Sequence, residues 1–142
     1  MAFNVLIVDD SRPMRMVIKK TIRMSGFDVG EIFEASNGKE ALNVLGDNWI
    51  DLVLTDYNMP HMNGLKLLDE MKKDEVLRRM PAVMITTERS QQRIQQFFEM
   101  GASDCITKPF TPEEIRQKLN RIMGEPEDGT GKINNGSEGL DF

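Results

Sequence analysis

The sequence predicts an α/β fold: a five-stranded parallel sheet covered by helices on both faces. Three observations carry this reading. Five short apolar runs recur along the chain, and a stretch of helical periodicity follows each one. Several of the runs are β-branched and nearly continuous, as strands buried on both faces are. Most of the helical stretches open on a capping residue and close on a glycine. Strict alternation of the two element types implies parallel strands joined by right-handed crossovers.

The elements follow in order. "FNVLIV" (Phe3–Val8) is the first strand. Ser11 caps the first helix, Pro13 lies in its first turn, Met14, Val17, Ile18 and Ile22 form its apolar stripe, and Gly26 stops it. "EIFEA" (Glu31–Ala35) is a second, less apolar strand suited to an edge. Asn37 and Glu40 form a capping box for a short helix carrying Ala41, Leu42 and Leu45, which Gly46 ends. "DLVLT" (Asp51–Thr55) is the third strand, and Asn63 opens a helix with Leu67, Leu68 and Met71 on one face. "AVMIT" (Ala82–Thr86) is the fourth. Ile94, Phe97 and Phe98 stripe the next helix, which Gly101 closes. "SDCIT" (Ser103–Thr107) is the fifth. In the last helix Thr111 caps, Pro112 takes the first helical position, Glu114 completes the box, Ile115, Leu119 and Ile122 face inward, and Gly124 terminates.

A chain of 142 residues is long enough to bury one core of its own. The domain is expected over 1–124, with 125–142 an acidic, Gly- and Asn-rich disordered tail. That tail holds five acids against one base, so most of the net charge of −5 belongs to it. The rest is nearly neutral and carries no basic footprint of a nucleic-acid binder. Arg15, Lys19, Lys20 and Arg23 read as a solvated helix face. No apolar run approaches the roughly 20 residues of a membrane span, and the N-terminus lacks a signal-peptide pattern. The one cysteine, Cys105, excludes an internal disulfide framework and fits a cytoplasmic, reducing setting.

In a parallel α/β sheet, sites form beyond the carboxyl ends of the strands. The first strand ends in Asp9 and Asp10, the third in Asp56, the fourth in Thr86 and Thr87, and the fifth in Lys108 and Pro109. Any one acid could be a helix cap or a turn residue. Three at one rim repel, and one lysine cannot neutralise them all. Oxygen ligands of this kind suit Mg2+, or Mn2+ in its place. Zinc has no Cys/His cluster to hold it, and His61 reads as an exposed loop residue. A carboxylate beside such an ion and a lysine is set up for phosphoryl transfer, with Asp56, which stands alone at the end of the central strand, as the nucleophile. Asp9 and Asp10 are placed to hold the metal, and Thr86 to bond a phosphoryl oxygen. Met59 and Met62, flanking Pro60, are expected to line the site, whereas Trp49, ahead of the third strand, is not.

The segments "LIVDDS", "LVLTDYNMPHMNG", "VMITTE" and "ASDCITKPF" together, in this order, resemble a response-regulator receiver domain, most nearly the single-domain chemotaxis kind. The resemblance spans residues 1 to about 124. It implies the flavodoxin-like (βα)5 fold with strand order 2-1-3-4-5. It implies Asp56 as phosphoacceptor, with Asp9, Asp10, Asp56 and the backbone carbonyl of Asn58 serving Mg2+. Thr86 becomes the switch hydroxyl, Lys108 the phosphate-contacting cation, and Lys108–Pro109 a cis peptide. Asn58 and Glu88 take the positions that tune hydrolysis of the phosphoryl group. The implied donor is a histidine kinase. The implied output is a protein contact made by a monomer, at a flagellar motor switch or, for a phosphorelay intermediate, at a phosphotransfer protein. Such a domain is a switch whose only catalysis is its own phosphorylation and dephosphorylation.

One position departs from the pattern. Three residues before the lysine the family usually carries Tyr or Phe; here Cys105 stands there, as a small buried thiol or a redox sensor. Three rival readings fit the residues less well. An aspartate-dependent phosphatase of the haloacid dehalogenase type needs D-x-D, whereas Asp9 and Asp10 are adjacent. A flavodoxin-like redox carrier needs a phosphate-cradling loop where this chain has two acids. A phosphorylation-independent interaction domain leaves the set Asp9, Asp10, Asp56, Thr86 and Lys108 without purpose.

Overall fold

The computed structural model describes residues 2–124; the tail expected over 125–142 lies outside them. The chain runs β1 (Phe3–Val8), α1 (Arg12–Ser25), β2 (Val29–Ala35), α2 (Gly38–Asp47), β3 (Leu52–Thr55), α3 (Gly64–Lys72), a short 3-10 turn (Leu77–Arg79), β4 (Ala82–Thr86), α4 (Gln91–Glu99), β5 (Asp104–Thr107) and α5 (Pro112–Met123). All strand pairs are parallel, in the order β2-β1-β3-β4-β5. The expected five-strand, five-helix α/β architecture and its strand order are present. The order reverses between β1 and β3, which makes the carboxyl ends of those two strands the crevice of the sheet.

Strand alternation divides the interior in two. Leu6, Val8, Val53 and Met84 face α2, α3 and α4, meeting Ala41, Leu45, Leu67, Leu68, Met71 and Phe97. Val5, Ile7, Leu52, Leu54, Val83, Ile85 and Ile106 face α1 and α5, meeting Ile18, Ile22, Ile115 and Leu119. Each such aliphatic side chain contributes about 1.5–3 kcal/mol on burial. Among the described residues no helix is long and apolar enough to cross a membrane.

The caps form mostly where the sequence puts them. Ser11, Asn37, Asn63 and Thr111 each accept a backbone N–H from the first turn of α1, α2, α3 and α5. The Thr111–Glu114 box is complete. At α2 Glu40 reaches one residue further back, accepting the Ser36 N–H at 2.7 Å, and the helix runs past Gly46 to Asp47. Two stripe residues are misplaced by the sequence reading: Val17 is 51% exposed and Phe98 46% exposed. Both lie at the margin of their stripes, where one step of about 100° leaves the buried arc. Nor is the basic face of α1 wholly solvated. Arg15 bonds Glu34 at 2.9 Å, and Lys19 pairs with the same carboxylate at 3.0 Å. The Arg15 hydrogen bond is the chief reason Glu34 is held below the usual carboxylate range.

Gly64 shows how tightly the loop after β3 is packed. Its N–H donates to the Tyr57 carbonyl at 2.9 Å. A Cβ there would overlap the Asp56 carbonyl oxygen and stand 2.8 Å from Met84 Cε and 3.1 Å from Tyr57 Cα. Backbone atoms cannot swing aside as a flexible side chain can. Gly64→Ala is therefore expected to cost about 1–3 kcal/mol, read as a lower urea midpoint with an unchanged m-value.

Candidate functional site

Backbone register assembles the site. Val8 is paired with Thr55, and the Asp56 N–H donates to the Val8 carbonyl at 2.9 Å. Asp9 and Asp56 therefore leave adjacent strands side by side. On the far side of β3, Thr86 is paired with Thr107, and the Lys108 N–H donates to the Thr86 carbonyl at 2.8 Å. The edge strand β5 thereby delivers Lys108 to the same rim as the two acids.

The lysine closes the cluster. Its Nζ lies 3.1 Å from Asp9 Oδ2 and 3.6 Å from Asp56 Oδ2. Asp9 is 2% exposed. Its other oxygen accepts the Ser11 N–H at 2.9 Å, and its backbone carbonyl accepts from Arg15 at 2.7 Å. Ser11 thus serves twice, capping α1 with its hydroxyl and holding Asp9 with its amide. Asp56 is half-buried, and its Oδ1 accepts the Tyr57 N–H at 2.8 Å. Burial pushes its carboxyl above the usual carboxylate range; nearby Asp9 adds to this, and Lys108 opposes it.

The acids also fit a metal. Asp9, Asp10 and Asp56 can each offer one carboxylate oxygen, and these atoms all lie within 4.8 Å of one another. At an effective dielectric of about 20, two carboxylates about 5 Å apart repel by about 3 kcal/mol, and Lys108 supplies only one positive charge. Asp10 is exposed, which leaves the cluster open on one side. Hard oxygen donors with an open side are the donor set that Mg2+ accepts, since it keeps several of its waters.

The other residues singled out from the sequence fall around this centre. Thr86 is wholly buried at the end of β4, and its hydroxyl oxygen accepts the Glu88 N–H at 3.2 Å. Glu88 in turn accepts the Ser90 N–H at 3.1 Å. Asn58 is exposed, two residues beyond Asp56. The Lys108–Pro109 bond is cis, and the Lys108 carbonyl accepts from Arg89 at 3.2 Å. His61 is exposed with φ 67°, inside a tight turn where the Met62 N–H donates to the Pro60 carbonyl. Met62 does not line the cluster; its side chain lies against Gly38, in the first turn of α2. Trp49 is 80% exposed at the opposite end of the sheet.

Cys105 is 7% exposed and belongs to the α2, α3 and α4 side of the interior. Burial pushes its thiol up, against a smaller opposing effect of Lys118, whose Nζ bonds the Cys105 carbonyl at 2.6 Å. Thiolate is the reactive form, so this environment suits a packing residue and not a redox sensor. In the folded protein Cys105 is expected to react with iodoacetamide at pH 7.5 at least about tenfold more slowly than in urea, as followed by intact mass.

The sequence reading does not place Arg15 or Tyr57 at the site. The signal for Arg15 was its place in the helix that follows Asp9, but nothing local shows that its guanidinium turns back toward that carbonyl. Tyr57 adjoins Asp56, yet its partners Arg93 and Phe97 are some forty residues away.

Comparison with known proteins agrees with this geometry. A model of the response regulator receiver domain matches residues 5–120. A chemotaxis protein CheY homolog of Campylobacter jejuni is 37% identical over 122 residues, which cover 85% of this chain and 92% of that protein. Chemotaxis protein CheY1 of Helicobacter pylori is 39% identical over 122 residues, covering 85% and 97%. Among solved structures, chemotaxis response regulator CheY4 of Vibrio cholerae matches with a TM-score of 0.77 and 31% identity, covering 87% of this chain and 100% of that one. Sheet order, acidic rim and likeness over most of its length converge, and the chain belongs to the response regulator receiver domain family.

Proposed function

We propose that this receiver domain takes a phosphoryl group onto Asp56 from the phosphohistidine of a histidine kinase and switches a protein-binding surface in response. The observation that carries the reading is the position of Lys108, whose one ammonium reaches both Asp9 and Asp56 at the crevice of the sheet. In the transfer, an Asp56 carboxylate oxygen forms a bond to phosphorus as the P–N bond of phosphohistidine breaks. The imidazole leaves with the electron pair and takes up a proton. Lys108 offsets charge on the phosphoryl oxygens, and the Thr86 hydroxyl donates to one of them once the group is attached.

Asp9, Asp10, Asp56 and the Asn58 carbonyl are the residues that would hold Mg2+, or Mn2+. When bound there, such an ion supplies charge neutralisation at the phosphoryl oxygens. Asn58 and Glu88 border the path of attacking water and set the phosphoryl lifetime. The chain is thus a signalling protein and not a turnover enzyme, acting in the cytoplasm with residues 1–124 as the functional unit. Its relatives' names point to chemotaxis, and the target proposed for it is a flagellar motor switch. Cys105 favours a second reading, a phosphorelay intermediate, because the aromatic side chain that usually serves output is absent.

Full-length protein incubated with acetyl phosphate and Mg2+ is expected to gain one phosphoryl group by intact mass, and Asp56→Asn none. Equal uptake by the variant would refute the assignment. A stability measurement is independent of any donor. Because the Asp56 carboxyl is raised above its ordinary range, the stability linked to it is present at low pH and lost as pH rises through the folded value. In chelator at pH 7, Asp56→Asn is therefore expected to have the higher Tm, with the gap closing below the usual carboxylate range. Mg2+ then raises the Tm of the parent protein more than that of the variant.

A further inference from the structure

With Cys105 in place of a ring, the residues described so far do not say how a change at Asp56 reaches the surface. Another ring stands closer. Tyr57 follows Asp56, and its N–H donates to Asp56 Oδ1 at 2.8 Å. Its ring lies 5.4 Å from that of Phe97, tilted by 49°. The guanidinium carbon of Arg93 sits 4.8 Å from the ring centroid on Tyr57, within cation–π range. Arg93 and Phe97 both belong to α4.

A second path meets the first. The Thr86 hydroxyl accepts the Glu88 N–H at 3.2 Å, and Glu88 Oε1 lies 3.9 Å from Arg93 Nε. Arg93 is also fixed along its own helix by Gln96, at 3.0 Å. Asp56 through Tyr57, and Thr86 through Glu88, therefore end on one guanidinium. The helix that carries it is lightly seated. Phe97 is the only side chain of α4 that is fully buried, whereas α3 buries Leu67, Leu68 and Met71 as well as Gly64. An element with so small a buried face belongs to the low-stability end of a fold and suits two positions of similar energy.

We infer that Tyr57 is a positioning residue, and that its contact with Arg93 couples the state of Asp56 to the position of α4. The inference rests on the proposal that Asp56 is phosphorylated. A phosphoryl group on Asp56 changes the oxygen that the Tyr57 N–H bonds and draws on the Thr86 hydroxyl. Both changes shift the supports of Arg93, and α4 follows. The ring next to the acid then does the work usually given to position 105.

The test uses the full chain with Mg2+ and beryllofluoride as a mimic of the phosphoryl group. Fluorine NMR reports occupancy of the site, and amide shifts of Gln91–Glu99 report α4. In the parent protein both respond. Tyr57→Leu and Arg93→Gln are expected to keep the bound fluorine signal, with affinity within about threefold, and to lose most of the α4 response. Tyr57→Phe keeps the ring and is expected to keep the response. The double variant Tyr57→Leu/Arg93→Gln is expected to be no worse than either single change, because the two residues act as one contact. The Arg93 side chain is still 38% exposed, so Arg93→Gln decides the matter even if Tyr57→Leu folds poorly. Full α4 shifts in Arg93→Gln with the mimic bound would overturn the coupling and leave Asp56 as acceptor. Absence of a bound signal in the parent protein would overturn both.

Discussion

Lys108 is the only cation within salt-bridge distance of either acid among the described residues, and it allows Asp9 and Asp56 to end neighbouring strands. Remove it, and two partly or wholly buried carboxylates face each other with an exposed third beside them. Such a group left without its counter-charge is strongly destabilising. The topology brings this one ammonium, carried just past the edge strand, across β4 to the centre of the sheet. The order β2-β1-β3-β4-β5 does so in register, with Thr86 and Lys108 joined through the backbone.

The same constraint explains what the sequence could reveal. Strand ends were legible because apolar runs stop abruptly at Asp9, Asp56, Thr86 and Lys108, and a parallel sheet collects strand ends at one rim. Helix starts were legible because caps are local: Ser11, Asn63 and Thr111 bond amides within three residues. What local pattern could not supply was direction. Val17 and Phe98 fit a helical stripe by period yet face outward, since the width of a buried arc is set by the neighbouring helices. Arg15 looked like solvated charge because its partner Glu34 lies on β2, outside its own helix. Tyr57 has no local partner to mark it, because Arg93 and Phe97 approach it only after the crossover through β4.

The division of the interior by the sheet has a mechanical consequence. Asp9 is held from the α1 side, by Ser11 and Arg15, and Asp56 is supported from the α4 side, by Tyr57. The α1 and α5 layer is an anvil: well-buried aliphatic packing with little room for change. The opposite layer carries the lightly seated helix and the small thiol of Cys105. Under the proposed coupling, chemistry at the rim acts toward the α4 side alone. A partner resting on α1 would then meet the same surface before and after, whereas a partner resting on α4 would meet two. One sheet would thereby give the molecule a deaf side and a speaking side.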